Sequence, residues 1–325
     1  MRAQLVRNWC EPKDLELTEL PDLKEGPGQI LIDVKAVGVN FPDILMMQGK
    51  YQVKPPLPFA PGSEIAGVVR AVGAGVTRVT PGERVLAVLP WGAYASQALA
   101  AEPQVYKIPD VMPFEHAAAF TIVYHTSYFA LVYRAPVRAG QTVLVHGAAG
   151  GVGVSAVQIA KALGAKVLAT AGSAEKREFV KGLGAHEVFD SRDPNWVKEV
   201  QRATGNKGAD HIYDPVGGDV FDLSLKCIAF GGNLHVIGFA SGTIPNCAMN
   251  RVLLKNISLV GLHWGAYQLN DPQKLPEAMA ALFALYEQGQ LPVQIGGVFP
   301  LERAVDALSE IASRRVKGKV VLSCE

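Results

Sequence analysis

Residues 143–170 combine a short apolar run, a glycine-rich turn, a helical pattern and a second apolar run, in that order. Val143–Val145 is typical of a buried parallel strand, and Lys166–Thr170 is typical of its neighbour. Between them, apolar residues recur at helical spacing from Val154 until Gly164 ends the pattern. A strand, a tight turn, a helix and a strand predict a βαβ unit that can bind a dinucleotide.

The turn matches the spacing of the dinucleotide fingerprint G-x-G-x-x-G at Ala148, Gly150 and Gly153, with alanine in the first place. We expect Gly150 and Gly151 to let the backbone approach a pyrophosphate, and Gly153 to let helix and strand pack closely. The helix N-terminus would offer free N–H groups and a partial positive charge to that anion. The flanking strands and helix favour this interpretation over a plain connecting turn.

The second strand lacks the terminal acidic residue that binds the ribose 2′-hydroxyl of NAD. A carboxylate there would repel a 2′-phosphate, whereas Gly172 leaves room, Ser173 offers a donor and Lys176 supplies charge. We therefore predict NADPH rather than NADH. In the alternative interpretation Lys176 is a solvated charge at a helix start, and Glu175 and Glu178 favour that alternative.

The rest of the chain predicts an α/β protein of two domains. Residues 1–100 are rich in strand patterns, such as Gln29–Val37 and Ser63–Val72, and a helical pattern covers Pro113–Val132. Strands and helices then alternate as far as residue 261, which predicts a doubly wound parallel sheet. We expect the tail to rejoin the N-terminal domain, with the nicotinamide in a cleft between domains.

Composition argues against several classes of function. The 325 residues carry a net charge of +1 without a basic run, so nucleic-acid binding has no electrostatic support. The N-terminus lacks the apolar core of a signal peptide, and no stretch of about 18 apolar residues is uninterrupted. The sequence therefore predicts a cytoplasmic protein without a membrane span.

Four segments together resemble a known family: PPLPFAPGSEIAGVV, PGERV, LVHGAAGGVGVSAVQIAKALGAKV and ATAGSAEK. They are similar to the zinc-less medium-chain dehydrogenase/reductases, and within them to the NADPH:quinone oxidoreductases that include zeta-crystallin. The resemblance implies a GroES-like substrate domain over residues 1–120 and 262–325. It also implies a Rossmann NADPH-binding domain inserted at residues 121–261, usually in a homodimer.

The positions of the zinc ligands in related alcohol dehydrogenases hold other residues here. Asn40 stands in place of a cysteine, and Ser63, beside Glu64, stands in place of a histidine. Residues 101–112 also lack the cysteines of a structural zinc lobe. An amide and a hydroxyl are poor zinc donors, so the sequence predicts no metal.

The resemblance also implies the site residues. Tyr51, Asn40 and Asp43 match positions near the nicotinamide and the substrate entrance, and are the catalytic candidates. Lys319 is a weaker match. The implied cofactor-binding residues are Thr121, Ala149, Gly150, Gly151, Val152, Gly172, Ser173, Lys176, Ser191, Val216, Ile237, Gly238, Phe239, Leu262, His263 and Trp264.

Several of these candidates have simpler structural interpretations. Tyr51 could donate a hydrogen bond to a substrate carbonyl or only pack on the proline-rich loop. Asp43 follows Pro42 and fits a helix cap better than a proton relay. His125 and His146 lie in apolar segments, so we predict that both are core histidines with satisfied hydrogen bonds.

Three functions remain open from the sequence. The first is NADPH-dependent hydride transfer, without zinc, to a quinone or an α,β-unsaturated carbonyl. The second is reduction of an enoyl-CoA thioester, for which Arg251, Lys255, Arg314, Arg315 and Lys317 are candidate phosphate-binding residues. The third is a non-catalytic role, structural or RNA-binding, in which NADPH is held but not turned over.

Overall fold

The computed structural model describes residues 1–324, which divide into two units. The first unit contains residues 1–122 and 293–324, and the second contains residues 123–292. The sequence placed residues 262–292 in the first domain, and here it was wrong. This segment packs within the second unit, where the Tyr267 ring lies 4.5 Å from the Phe129 ring and Gln158 donates to the Pro292 carbonyl at 2.8 Å.

Fifteen strands are named β1 to β15 in chain order: Arg2–Leu5, Glu16–Glu19, Gln29–Val39, Glu64–Val72, Arg84–Val88, Gln97–Ala101, Val105–Lys107, Thr142–Val145, Lys166–Ala171, Glu187–Asp190, Ala209–Asp214, Ile228–Val236, Ser258–Gly261, Ile295–Pro300 and Lys319–Ser323. The α-helices of the described residues are named α1 to α11: Phe41–Met47, Phe114–Ala118, Thr121–Tyr128, Gly151–Ala162, Ala174–Gly182, Trp196–Ala203, Asp219–Cys227, Met249–Lys255, Tyr267–Asn270, Lys274–Glu287 and Ala304–Ala312. Within residues 1–324, no helix has the length and apolarity that crossing a membrane requires.

The first unit is built on a sheet in the order β14-β15-β3-β4-β5-β7, with β6 also paired to β3. Strand β15, near the end of the chain, pairs antiparallel with β3 and parallel with β14. Alternating residues of β3 and β4, such as Ile32 and Ile65, enter the core of this unit. The tail therefore rejoins the N-terminal part of the chain, as the sequence predicted.

The second unit is a six-stranded sheet in the order β10-β9-β8-β11-β12-β13, and every neighbouring pair is parallel. The chain works outward from β8 in one direction and then from β11 in the other. This is the Rossmann strand order, and the reversal between β8 and β11 is the point where such sheets bind ligands. The predicted fold class is confirmed.

The glycine turn begins the helix earlier than its apolar pattern suggests. Gly147 has φ +57°, a left-handed conformation that glycine adopts without strain, and α4 starts at Gly151 with Gly150 as its N-cap. A Cβ on Gly153 would lie 2.4 Å from the Gly147 oxygen and 2.6 Å from the Ala148 Cα. Gly153 therefore permits the close packing of helix against turn that the fingerprint predicts.

The predicted helix over residues 113–132 is interrupted. The structure forms α2, a turn at Ala119 and Phe120, then α3, and continues through Phe129–Arg134 as a π-helix. Helix α2 packs on strands of the first unit, whereas Ser127 of α3 donates to the Val152 carbonyl of α4. Packing against two different partners overrides the continuous local helix preference.

We predict that Gly153→Ala destabilises the protein by about 2 kcal/mol or more, because the new methyl group meets rigid backbone. Gly150→Ala is the matched control. Its φ of −81° suits alanine, and the nearest atom to the new Cβ is 3.5 Å away, so the change stays within about 1 kcal/mol. Urea unfolding of both variants measures this difference, and equal losses at the two positions would contradict it.

Candidate active site

Most predicted cofactor residues lie just beyond the carboxyl ends of the six parallel strands. The carboxyl ends of parallel strands meet at one edge of the sheet. Residues that directly follow these strands therefore come together there, although they are far apart in the chain. Each strand contributes, from β8 to β13 in turn: Ala149, Gly150, Gly151 and Val152; Gly172, Ser173 and Lys176; Ser191; Val216; Ile237, Gly238 and Phe239; and Leu262, His263 and Trp264. Thr121 is outside this set, at the start of α3, and its buried hydroxyl has no hydrogen-bond partner in residues 1–324.

The turn after β8 presents a helix N-terminus. Helix α4 has 12 residues, and its first N–H groups lack partners within the helix. Ala149 is buried, so its side chain packs into the protein, while a Cβ on Gly150 would meet nothing closer than 3.5 Å. Packing within the protein therefore does not require glycine at position 150. The space beside the Gly150 backbone suits an anion that approaches it closely.

The ends of β9 and β10 meet beside this turn. Ser173 caps α5, since its hydroxyl accepts a hydrogen bond from the Lys176 N–H at 3.2 Å. A Cβ on Gly172 would lie 3.5 Å from the Ser191 hydroxyl, so these two predicted residues are neighbours. The structure thus brings a glycine, two hydroxyl groups and the start of α5 together.

A cluster of charges that the sequence analysis did not single out follows β10. Arg177 and Arg192 both contact the Asp190 carboxylate, at 2.7 Å and 3.2 Å. Hydrogen bonds from Arg192 and the two positive charges lower the pKa of Asp190 to about 2. The Asp190 carboxylate therefore holds both guanidinium groups at the end of β10.

The turn after β11 packs against the turn after β8. A Cβ on Gly147 would be 3.4 Å from the Val216 side chain, and one on Gly217 would be 2.9 Å from the Phe239 ring. Asp214 accepts hydrogen bonds from the Val216 and Gly217 N–H groups, at 2.8 Å and 3.0 Å. The carboxylate thus shapes the turn that carries Val216.

The two core histidines differ from each other. His146 meets the prediction, because its ring nitrogens lie 2.9 Å from the Thr170 and Ser224 hydroxyls. His125 does not, since neither ring nitrogen has a partner within residues 1–324. Its ring lies tilted against the Trp264 ring, with the ring centroids 5.3 Å apart, and the buried indole nitrogen of Trp264 also lacks a partner there. Each such buried polar atom costs about 1–3 kcal/mol of stability, so the prediction of a satisfied His125 was wrong.

In the first unit, Asn40 belongs to a buried network. The Lys319 ammonium donates to Asn40 Oδ1 at 2.5 Å, Glu64 Oε1 at 2.7 Å and the Val39 carbonyl at 3.0 Å. Asn40 Nδ2 donates to Glu64 Oε1 at 2.9 Å, and the Ile122 N–H donates to Glu64 Oε2 at 2.9 Å. Both ends of the Asn40 amide are therefore occupied by its own protein, with Lys319 as the central charge.

Asp43 closes the first turn of α1, as the cap interpretation predicted. Its Oδ2 accepts the Asn40 N–H at 2.8 Å and the hydroxyl of the fully buried Tyr94 at 3.0 Å. Burial raises the pKa of Asp43 to about 7, although these hydrogen bonds and the Lys319 charge oppose the rise. Tyr94 has no counterpart in the sequence analysis, because nothing local connects it to Asp43.

Tyr51 packs against the core of the first unit and is only partly buried. Its burial, and then the charge of Asp43, raise the pKa of its hydroxyl above the ordinary value. The hydroxyl therefore keeps its proton at neutral pH and can act as a donor. Among residues 1–324, no three His, Cys, Asp or Glu side chains are grouped so as to hold a metal ion.

Two protein-family descriptions match the chain. The alcohol dehydrogenase GroES-like domain matches residues 26–110, and the zinc-binding dehydrogenase domain matches residues 151–284. Among curated proteins, the chain is 38% identical to quinone oxidoreductase of Homo sapiens, over 99% of this chain and 97% of the human protein. It is 37% identical to quinone oxidoreductase-like protein 2 of Rattus norvegicus, over 99% and 92% of the two chains.

Solved structures agree over the full length. The Escherichia coli quinone oxidoreductase complexed with NADPH superposes with a TM-score of 0.93 at 30% identity, and all of both chains is covered. The quinone oxidoreductase of Pseudomonas syringae also gives a TM-score of 0.93, at 34% identity over all of both chains.

The raised pKa of Asp43 predicts that stability falls as pH rises. Between the unfolded value near 3.8 and the folded value of about 7, the native state holds a proton that the unfolded chain has released. Unfolding therefore becomes easier by up to about 1.4 kcal/mol per pH unit, or about 4 kcal/mol in all.

Asp43→Asn removes this titration while its amide oxygen still accepts from Asn40 and Tyr94. We expect the free energy of unfolding of the native protein, relative to that of Asp43→Asn, to fall between pH 4 and pH 8. Urea unfolding across that range measures it, and a constant difference would show that Asp43 is already ionised in the folded state at pH 4.

Proposed function

We propose that this chain, which belongs to the quinone oxidoreductase family of the medium-chain dehydrogenase/reductases, uses NADPH to reduce a quinone or α,β-unsaturated carbonyl without zinc. The observation that carries the proposal is the arrangement at the carboxyl edge of the second unit's sheet. There, a glycine turn opens a helix N-terminus, and the neighbouring strand ends in glycine and serine instead of an acid.

The residues at this edge fit NADPH. The N–H groups at the start of α4 would hold the pyrophosphate, because the Gly150 backbone is open to close approach. Gly172, Ser173 and Ser191 would surround the ribose 2′-phosphate. NADPH-bound relatives, such as the E. coli enzyme, support this assignment.

NADPH would supply a hydride from its nicotinamide ring. The chain's own residues then have two tasks, which are to orient the acceptor and to provide a proton. Tyr51 is the candidate for the second task, because a phenol hydroxyl is protonated at neutral pH and can donate a hydrogen bond to the acceptor. Asn40 and Asp43 are proposed as positioning residues, since the Asn40 amide and the Asp43 carboxylate are bound to neighbouring groups of the first unit.

Lys319 supports a reaction without zinc. Its ammonium lies 2.5 Å from Asn40 and 2.7 Å from Glu64, beside the position where a related zinc enzyme has a cysteine ligand. The Asn40 amide and the Lys319 ammonium are not zinc donors, and the neighbouring Glu64 carboxylate is already paired with Lys319 at 2.7 Å. Without a Lewis acid, the acceptor must be readily reduced, and quinones and enones delocalise the incoming charge.

The two other functions have less support. Among the candidate phosphate-binding residues for an enoyl-CoA, Arg251 pairs with Asp222, Lys255 donates to the Leu225 carbonyl at 2.8 Å, and Arg315 pairs with Glu310 at 2.9 Å. Those charges are already engaged within the protein. An RNA-binding role lacks electrostatic support, because the sequence has no basic run.

We also propose a homodimer. Strand β13 is an edge strand of the parallel sheet, and helix α8 just before it exposes large apolar side chains. Leu253 and Leu254 are 73% and 72% exposed, and Met249 and Ile244 are similar. An unprotected strand edge beside an apolar helix is a surface that a second copy could cover.

Steady-state assays with NADPH and NADH against 1,4-benzoquinone, cyclohex-2-enone and a 2-enoyl-CoA test the catalytic proposal. We expect NADPH with the quinone or enone to be preferred, and activity to survive dialysis against EDTA. Gly150→Ala should weaken NADPH binding about tenfold or more while the protein stays folded, because a methyl group would face the pyrophosphate. A preference for NADH or for the thioester, or loss of activity on zinc removal, would contradict the proposal.

Sedimentation equilibrium tests the dimer. The native protein should have the mass of two chains, and the double variant Leu253→Glu with Leu254→Glu should have the mass of one. Val111→Glu is the matched control, because Val111 is 72% exposed and belongs to the first unit, whereas β13 and α8 belong to the second. If the native protein has the mass of one chain, or if the double variant remains a dimer, the proposed interface at α8 and β13 is contradicted.

A further inference from the structure

His125 and Trp264 form a pair of buried rings whose polar atoms have no use within the protein. Their side chains are 1% and 9% exposed, and the ring centroids are 5.3 Å apart. Both nitrogens of His125 and the indole nitrogen of Trp264 lack a hydrogen-bond partner in residues 1–324. Buried polar atoms are almost always paired in folded proteins, so three orphaned nitrogens in one contact point to a ligand.

Trp264 of this pair lies at the carboxyl edge of the second unit's sheet, where the cofactor residues are predicted. Strand β13 ends at Gly261, and Trp264 follows three residues later, so the indole lies beyond the carboxyl end of the last parallel strand. This is the half of the sheet on the far side of the reversal from the strands that would hold the 2′-phosphate. A ligand atom here would belong to the reacting end.

The hydrogen-bonding capacity of the two rings indicates which kind of ligand atom they can bind. An indole N–H can only donate a hydrogen bond, and burial lowers the pKa of His125 to about 3, so the imidazole is neutral and has one donor and one acceptor. The Phe129 ring lies 5.9 Å from His125, and the Tyr267 ring lies 4.5 Å from Phe129. Donors among aromatic rings suit a carbonyl oxygen on a flat, conjugated molecule.

We propose that His125 and Trp264 bind the carbonyl oxygen of the hydride acceptor and so position it for reduction. This inference rests on the proposed function and names its acceptor contacts. As hydride adds to the conjugated acceptor, negative charge grows on that oxygen until a proton neutralises it, and hydrogen bonds to the oxygen strengthen. The pair therefore favours planar quinones and enones.

The sequence assigned Trp264 to the cofactor, so nicotinamide carboxamide binding is the competing role. A binding measurement without turnover separates the two roles. In protein saturated with NADP⁺, which has no hydride to give, cyclohex-2-enone is titrated while the indole N–H signals are followed by ¹H–¹⁵N NMR. Trp264→Phe identifies the Trp264 signal, and Trp9, Trp91 and Trp196 serve as internal controls.

We expect the Trp264 signal alone to move downfield as the enone binds. His125→Phe, which keeps an aromatic ring against Trp264 but deletes both nitrogens, should weaken enone binding about tenfold or more. Its thermal midpoint should not fall, because unpaired buried nitrogens are removed. A Trp264 signal that moves with NADP⁺ and then ignores the enone would overturn the proposal in favour of the carboxamide.

Kinetics provide the second measurement. His125→Phe should lower kcat/KM for 1,4-benzoquinone about tenfold or more with an unchanged Kd for NADPH, and His125→Gln should recover part of the loss. Unchanged kcat/KM with a raised thermal midpoint would make His125 an unused core residue and overturn the proposal. Since the titration needs no turnover, an inactive protein that still shifts the Trp264 signal would refute only the proposed reaction.

Discussion

The buried ammonium group of Lys319 links β15 to the end of β3 and to the start of β4 in the first unit. Lys319 has three hydrogen-bond acceptors at 2.5–3.0 Å, and one of them is the charged Glu64. A buried charge is tolerated only when it is paired and fully hydrogen-bonded, so the four participants constrain one another. The arrangement of Asn40, and through it the start of α1 and the carboxyl of Asp43, depends on this ammonium.

The same network fills the place at which the sequence lacks a zinc ligand of the related alcohol dehydrogenases. Lys319 donates to Asn40, which stands where related alcohol dehydrogenases have a cysteine, and an amide and an ammonium are poor zinc donors. In the proposed reaction without zinc, electrostatic help for the reacting carbonyl would come from neutral donors. In that proposal the indole N–H of Trp264 and the one N–H of neutral His125 are such donors, since these buried nitrogens have no partner in residues 1–324.

Much of the fold, and many of the residues at the carboxyl edge of the second unit's sheet, could be predicted from the sequence. The turn around Gly150 and Gly153 is encoded by local spacing, and the parallel sheet follows from alternating strand and helix patterns. Two predictions were wrong for different reasons. The helix over residues 113–132 broke in two because packing against separate partners outweighed local preference. Residues 262–292 pack within the second unit, although the family resemblance implied the first.

The sequence by itself determined the βαβ unit, the glycine positions and the missing acid after β9, because backbone sterics and short-range periodicity act within a few residues. Only the tertiary structure decided which polar groups meet. Lys319 reaches Asn40 across 279 residues, and His125 reaches Trp264 from another element, because strand order brings these elements together. Whether a buried histidine finds a partner depends on that assembly, and local pattern carries no information about it.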